Sequence, residues 1–148
     1  MTSKDRNKKS AKGGYKLDEQ VGFLLRKANQ RHTAIFASLM PGDLTPMQLA
    51  AMAKLHDLGE CSQNQLGRLI AIDAATIKGV VDRLTGRGLV ASRADPSDRR
   101  RMLVALTGEG EALAGTAFDI AKKITAETLK PLSGSEQATL LALLSKLA

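Results

Sequence analysis

Residues 62–106, SQNQLGRLIAIDAATIKGVVDRLTGRGLVASRADPSDRRRMLVAL, decide the fold. Residues 62–70 carry one short helical pattern, and Ala71, Ile72 and Asp73 make a tight turn. Residues 74–86 form a second helix, because Ile77, Val80, Val81 and Leu84 recur at the i, i+3, i+4, i+7 spacing of one buried face. Two alternating segments follow, residues 89–93 and 101–106, and Asp95-Pro96-Ser97-Asp98 between them is turn chemistry. Two short helices and a basic hairpin in this order spell a winged helix-turn-helix. In such a device the second helix enters a major groove and the hairpin reaches the adjacent backbone or minor groove.

Outward from this stretch the chain reads as helix. Residues 18–40 carry an apolar stripe at Val21, Leu24, Leu25, Ala28, Ile35, Phe36 and Leu39, with Asp18 as its cap and His32 inside it. Gly22 weakens that helix, which points to a close neighbour there. Pro41-Gly42-Asp43 ends it. Thr45-Pro46-Met47-Gln48 starts helix two, with a capping Thr, a first-turn Pro and a Gln at the third position. Ser62 to Gln65 is read as a further capping box, Asp73 as the cap of helix four, and Gly86 and Gly88 as its stop. Thr107 caps a long helix that Pro131 halts, and Ser133 to Glu136 boxes the last one. The expected fold is mostly α, a winged helix-turn-helix over about residues 45–106 carried on long N- and C-terminal dimerisation helices, about 18–40 and 108–147. One domain spans residues 17–148 behind a disordered basic arm, residues 1–16. The leucines at 140, 141, 143, 144 and 147 are many for one end, and a second copy of the chain is the obvious cover.

The chain has 148 residues and a formal charge of +7, and the excess is local. Residues 1–16 hold six Lys/Arg and one Asp, residues 68–101 hold eight and four, and the remainder is slightly acidic. That distribution suits a polyanion-binding face plus a cationic arm. Aromatics make up 3% with no Trp, which argues against single-strand binding by base stacking. One cysteine excludes an internal disulfide and fits a reducing compartment. No signal-peptide or membrane-span pattern is present, so a soluble cytoplasmic protein without membrane contact is expected.

On the outward face of helix four lie Ala75, Thr76, Lys78, Gly79, Asp82 and Arg83. Small residues there let the backbone approach base edges. Thr76 suits a thymine methyl or a phosphate, Lys78 guanine acceptors or phosphate, and Arg83 the backbone. Helix three offers Gln63, Asn64 and Arg68 toward phosphate, with Ser62 chiefly a cap. Arg99 or Arg100 at the hairpin suits a narrow minor groove, while Arg93 meets backbone or stands solvated. Asp98 orients a neighbouring arginine.

The same stretch, with Asp95-Pro96-x-Asp98-Arg99-Arg100, Leu106-Thr107-x-x-Gly110, Val81-Asp82-Arg83-Leu84 and Gly88-Leu89-Val90, resembles the MarR family of bacterial transcription regulators over about residues 20–147. The resemblance implies a homodimer built on helices one, five and six. It implies an inverted-repeat double-stranded DNA operator, usually repression, and release by a small ligand, with Arg100 as the wing-tip arginine. Gly22 to Phe36 also resembles regulators of aromatic-acid catabolism, some of which answer to aromatic acyl-CoA thioesters such as hydroxycinnamoyl-CoA. On that footing an aryl group would lie against Phe36 and Met52, near His32, with Arg26, Lys27 and Arg31 holding phosphates. The alternative for the three cations is a solvated face, and for His32 a core position.

Two other functions stand beside this one. A redox-sensing repressor would use Cys61, yet a packed small apolar side chain is the simpler role for that residue. A non-specific architectural nucleic-acid binder would depend on the arm. Neither an enzyme nor a cofactor is expected: His32 and His56 lie on different helices, His56 and Asp57 diverge as helical neighbours, and no phosphate loop or metal-ligand cluster appears.

Overall fold

A computed structural model of the chain describes residues 13–148; residues 1–12, most of the expected basic arm, lie outside the described residues. Two compact units divide at Ala34, inside the first long helix. In the first unit a single 3-10 turn, Leu17–Glu19, precedes α1, Val21–Leu39. Asp18 therefore does not cap α1, contrary to the sequence expectation. Gln20 takes an extended conformation (φ −86°, ψ 132°) and its carbonyl accepts the Leu24 N–H, so Gln20 occupies the cap. Its side-chain amide donates back to the Lys16 carbonyl at 3.0 Å, closing the turn. Among the described residues no neighbour lies within 4 Å of a Cβ built on Gly22, so the single chain does not supply the close contact expected there.

The second unit, Ile35–Ala148, holds α2 (Pro46–Leu58), β1 (Glu60–Ser62), α3 (Gln63–Leu69), α4 (Ala74–Gly86), β2 (Val90–Ala94), β3 (Met102–Leu106), α5 (Gly108–Leu129) and α6 (Gly134–Leu147). Five caps expected from sequence are formed: Thr45, Ser62, Asp73, Thr107 and Ser133 each accept the backbone N–H three residues on. Thr45 with Gln48 and Ser133 with Glu136 complete reciprocal boxes. Ser62 serves as a one-way cap, accepting from Gln65 N–H at 3.2 Å. The hairpin is not alone: β1 joins it to make an antiparallel sheet of order β1-β3-β2, with Cys61 opposite Val104 and Ser92 opposite Val104 on the other side. Three residues ending in a helix cap carry too little alternation to announce a strand, and β3 supplies the ladder that makes them one.

Within this unit α2, α3, α4, the sheet and α5 close around a core in which Met52, Leu55, Leu66, Ile77, Leu84 and Val104 are fully buried. The four apolar positions expected to face inward from α4 do so. Gly67 permits the close α3–α4 approach, since a Cβ there would stand 3.1 Å from the Ile77 side chain and 3.2 Å from the Ile72 carbonyl oxygen. The turn between the two helices sets Ala71 at φ 59°, a left-handed conformation held by a non-glycine residue.

A second close approach joins α4, the sheet and α5. Gly88, at φ 72°, reverses the chain after α4, and the Leu89 N–H returns to the Leu84 carbonyl. The Leu89 carbonyl accepts the Thr107 N–H at 3.1 Å, Thr107 Oγ1 donates to the Gly88 carbonyl at 2.6 Å, and Gly110 N–H donates to Thr107 Oγ1 at 3.1 Å. A Cβ on Gly110 would fall on the Leu89 carbonyl, inside van der Waals contact with backbone that cannot swing away. Gly110→Ala is expected to cost about 2–4 kcal/mol, as overpacking against fixed backbone does. Gly115→Ala on the same helix, where nothing lies within 4 Å, should leave stability unchanged or raise it by about 0.5–1 kcal/mol. Urea denaturation of both variants measures the contrast, and equal midpoints would remove the joint's importance.

Candidate nucleic-acid interface

Burying Ile77, Val80, Val81 and Leu84 turns the opposite face of α4 to solvent. Ala75, Lys78, Asp82 and Arg83 are exposed, while Thr76 and Gly79 are half-buried. The Asp73 carboxylate accepts the Thr76 N–H at 2.7 Å, and the Thr76 hydrogen bonds hold its carboxyl below the usual aspartate range. Lys78 is not a lone cation: its Nζ stands 2.8 Å from Asp82 Oδ2, one helical turn on. The Arg83 guanidinium reaches back over Gly79, 3.4 Å from where a Cβ would be. All the α4 residues singled out from sequence thus lie on one outward surface.

α3 and the wing meet in a second feature. Ser62, Gln63, Asn64 and Arg68 from α3 and its cap, with Arg100, Arg101 and Met102 from the wing, line a concave groove of about 350 Å³. Three α3 residues, the cap Ser62 and one wing arginine expected at DNA therefore converge on one site. Ser62 enters as a buried cap, 5% exposed, rather than as a projecting contact. From sequence Arg101 reads only as a strand residue that meets backbone or stands solvated, and Met102 is not singled out. Only the register of β3, which starts at Met102, brings them there, and no local pattern reports that register.

The wing is organised by carboxylates. Asp95 is 8% exposed; its Oδ1 accepts from the Ser97 hydroxyl at 2.7 Å and the Ser97 N–H at 2.9 Å, and Arg101 Nε lies 3.8 Å from Oδ2. The Asp95 N–H donates to the Arg101 carbonyl, closing the loop. Those Ser97 hydrogen bonds, the hydroxyl's first, hold the Asp95 carboxyl below its ordinary range. Asp98 Oδ1 accepts the Arg100 N–H at 3.1 Å, the orienting role expected of it, while the Arg100 side chain is 96% exposed. Arg99 is exposed beside it. Arg93 has a partner on β1. Its guanidinium forks onto Glu60 at 2.8 and 2.9 Å, spanning β3 from β2 to β1, so it braces the base of the wing while its side chain stays largely exposed. The Arg93 hydrogen bond keeps the Glu60 carboxyl low.

The remaining candidates separate. In the first unit Arg26 and Lys27 sit over the Phe23 ring, 5.6 and 5.4 Å from its centroid, so both make cation–π contacts rather than forming a plain solvated face. Arg31 is exposed and His32 half-buried on the same helix. In the second unit Phe36 and Met52 belong to the packed core, 6% and 0% exposed. Cys61 lies in β1, 5% exposed, and burial pushes its thiol up, away from the reactive thiolate a redox switch needs. His56 is hydrogen-bonded to Glu111 at 2.8 Å and edge-on to Phe118, a tie between α2 and α5. Among the described residues no cluster of three metal-ligating side chains occurs, and no helix is long and apolar enough to cross a membrane.

Comparison with known proteins agrees with this fold. The sequence model of the MarR family matches residues 44–102. The HTH-type transcriptional repressor NicR of Pseudomonas putida is 42% identical over 90% of this chain and 85% of its own length. A probable transcriptional regulator from Pseudomonas aeruginosa has a crystal structure that superposes with a TM-score of 0.88 at 52% identity, covering 90% of this chain and all of that one. BpsR of Bordetella bronchiseptica, whose DNA binding is regulated by 6-hydroxynicotinic acid, superposes with a TM-score of 0.87 at 43% identity, covering 91% and 97%.

The wing's internal bonds are pH-dependent with a definite sign. Because the folded-state carboxyl of Asp95 is depressed, its ordering effect is complete above the ordinary aspartate value and is lost as pH falls through the lower, folded value. An NMR titration should show the Ser97 amide moving toward a random-coil shift only in that acidic window. In Asp95→Asn the same amide should not titrate; a persisting transition there would refute the assignment.

Proposed function

The chain belongs to the MarR family, and from that premise we propose that it is a homodimeric repressor released from an inverted-repeat operator by a small aromatic acid. It is a DNA-binding transcriptional regulator, and the observation that carries the contact map is the convergence of Gln63, Asn64, Arg68 and Arg100 on one groove beside the outward face of α4. In this reading Ala75, Thr76, Lys78 and Gly79 approach base edges in the major groove, and Arg83 meets backbone. Arg68 holds a phosphate on the α3 side of the groove, and Arg99 or Arg100 enters the minor groove on the wing side. The exposed leucines of α6 favour the dimer: Leu141, Leu143 and Leu147 are 50%, 52% and 72% exposed, and α6 buries no residue in the single chain. On α1, Val21, Leu24 and Leu25 are likewise uncovered. Such stripes need a partner, and two-fold symmetry places two recognition helices one DNA turn apart.

For the effector, the regulation of BpsR by 6-hydroxynicotinic acid favours a compact aromatic carboxylate. Arg26, Lys27 and Arg31 are the cations we assign to its anionic group, with His32 on the same helix as the residue to test beside them. Three basic side chains within two turns of α1 also suit the phosphates of an acyl-CoA thioester, and the two ligands are separable by experiment. The protein would act in the cytoplasm, where its operator is.

Two measurements check this reading. Arg100→Ala combined with Lys78→Ala should weaken duplex binding at least about tenfold. It should also flatten the slope of log affinity against log salt by about one for each phosphate that the variant no longer neutralises in a half-site. An unchanged slope rejects the contact map. In a thermal-shift panel of aromatic acids, 6-hydroxynicotinic acid among them, and aromatic CoA thioesters, at least one acid should raise the melting temperature and release DNA by the same coupling factor. Stabilisation by thioesters alone would replace the acid with the conjugate.

A further inference from the structure

We propose that Lys78 and Asp82 together form a specificity filter selecting a G·C base pair, an inference that rests on the major-groove placement of α4 given above. The starting point is an acid where none is expected. Residues 68–101 contain four aspartates on an otherwise basic surface. Three have evident structural work: Asp73 caps α4, Asp95 closes the wing turn, and Asp98 accepts the Arg100 N–H. Asp82 caps nothing and closes no turn. It lies mid-helix on the outward face with its side chain 61% exposed, and it holds Lys78 Nζ at 2.8 Å.

A carboxylate facing DNA repels phosphate, and here it also occupies the lysine. For Lys78 to bind a phosphate, the pair would have to open and leave Asp82 against a second negative charge. Non-specific backbone binding is thereby penalised at this position, which is how unwanted partners are refused. A G·C pair removes the penalty. Its major-groove edge presents guanine N7 and O6 as adjacent acceptors, followed by the cytosine N4 amino donor. The ammonium has three donors, enough to keep Asp82 and bond guanine together. The second carboxylate oxygen then accepts from cytosine N4. An A·T pair places its donor between two acceptors and adds a methyl group, so the doublet meets it out of order. The i, i+4 spacing keeps the two groups side by side.

The test selects duplexes from a randomised library with the full-length protein and with Asp82→Ala, Asp82→Asn and Lys78→Ala. The wild type should enrich a two-fold motif containing G·C at one symmetric position. Both Asp82 variants should lower the preference at that position about tenfold, leave the other positions unchanged, and bind scrambled duplex more tightly with a salt slope steeper by about one per half-site. Lys78→Ala should lose the same preference without the gain on scrambled DNA. Asp82→Asn, close to isosteric, serves if the alanine variant melts early. A wild-type motif reproduced with equal weights by both Asp82 variants overturns the filter and leaves the DNA-binding reading intact. Failure of the wild type to enrich any motif overturns the groove placement itself and the filter with it.

Discussion

The contact between α5 and the carbonyl of Leu89 governs how the DNA-facing parts are held. Gly88 turns the chain out of α4, Leu89 places its carbonyl against the first turn of α5, and Thr107 stitches both residues to that turn through its backbone and its hydroxyl. Only glycine at position 110 leaves room for that approach. Three elements therefore end or begin within one hydrogen-bonded knot: the recognition helix, the first wing strand and the long helix that runs to Leu129. Since the Gly88 and Leu89 backbone carbonyls accept the Thr107 bonds and α5 packs directly on the second of them, the geometry is stiff, and any shift of α5 must be felt at the C-terminal end of α4.

Around that knot, charge serves two purposes that composition alone cannot separate. Glu60 and Arg93 brace the sheet across β3, while Asp95 with Ser97 and Arg101 shapes the hairpin tip. These acids lie within a basic surface without cancelling its purpose, because they fix where the remaining cations stand. Arg100 is presented almost fully exposed, its backbone N–H held by Asp98. A basic patch built this way is pre-organised rather than merely positive, and less ordering is left for the moment of binding.

Local signals were legible and cross-strand ones were not. Thr45, Asp73, Thr107 and Ser133 announce helix starts by side-chain chemistry that acts within four residues, and all four cap as read. The buried face of α4 follows from spacing alone. β1 stayed hidden because three residues acquire strand character only from β3, more than forty positions away. The brace at Arg93 is hidden for the same reason, its partner Glu60 lying on that unseen strand. Asp18 was mistaken for a cap because nothing local reveals the extended backbone of Gln20. At the groove between α3 and the wing, Gln63, Asn64, Arg68 and Arg100 are identifiable by type and position, whereas the placement of Arg101 and Met102 depends on hairpin register. The ligand residues rest on resemblance, and the burial of Phe36 and Met52 in the core could not be told from sequence apart from pocket lining.

The sheet order β1-β3-β2 has a mechanical corollary. Its central strand ties the entry of α3 to the exit of α4, so the spacing of the two helices is set at the root of the hairpin, away from its tip. A change confined to the tip loop alters what the wing presents and leaves that spacing as it was.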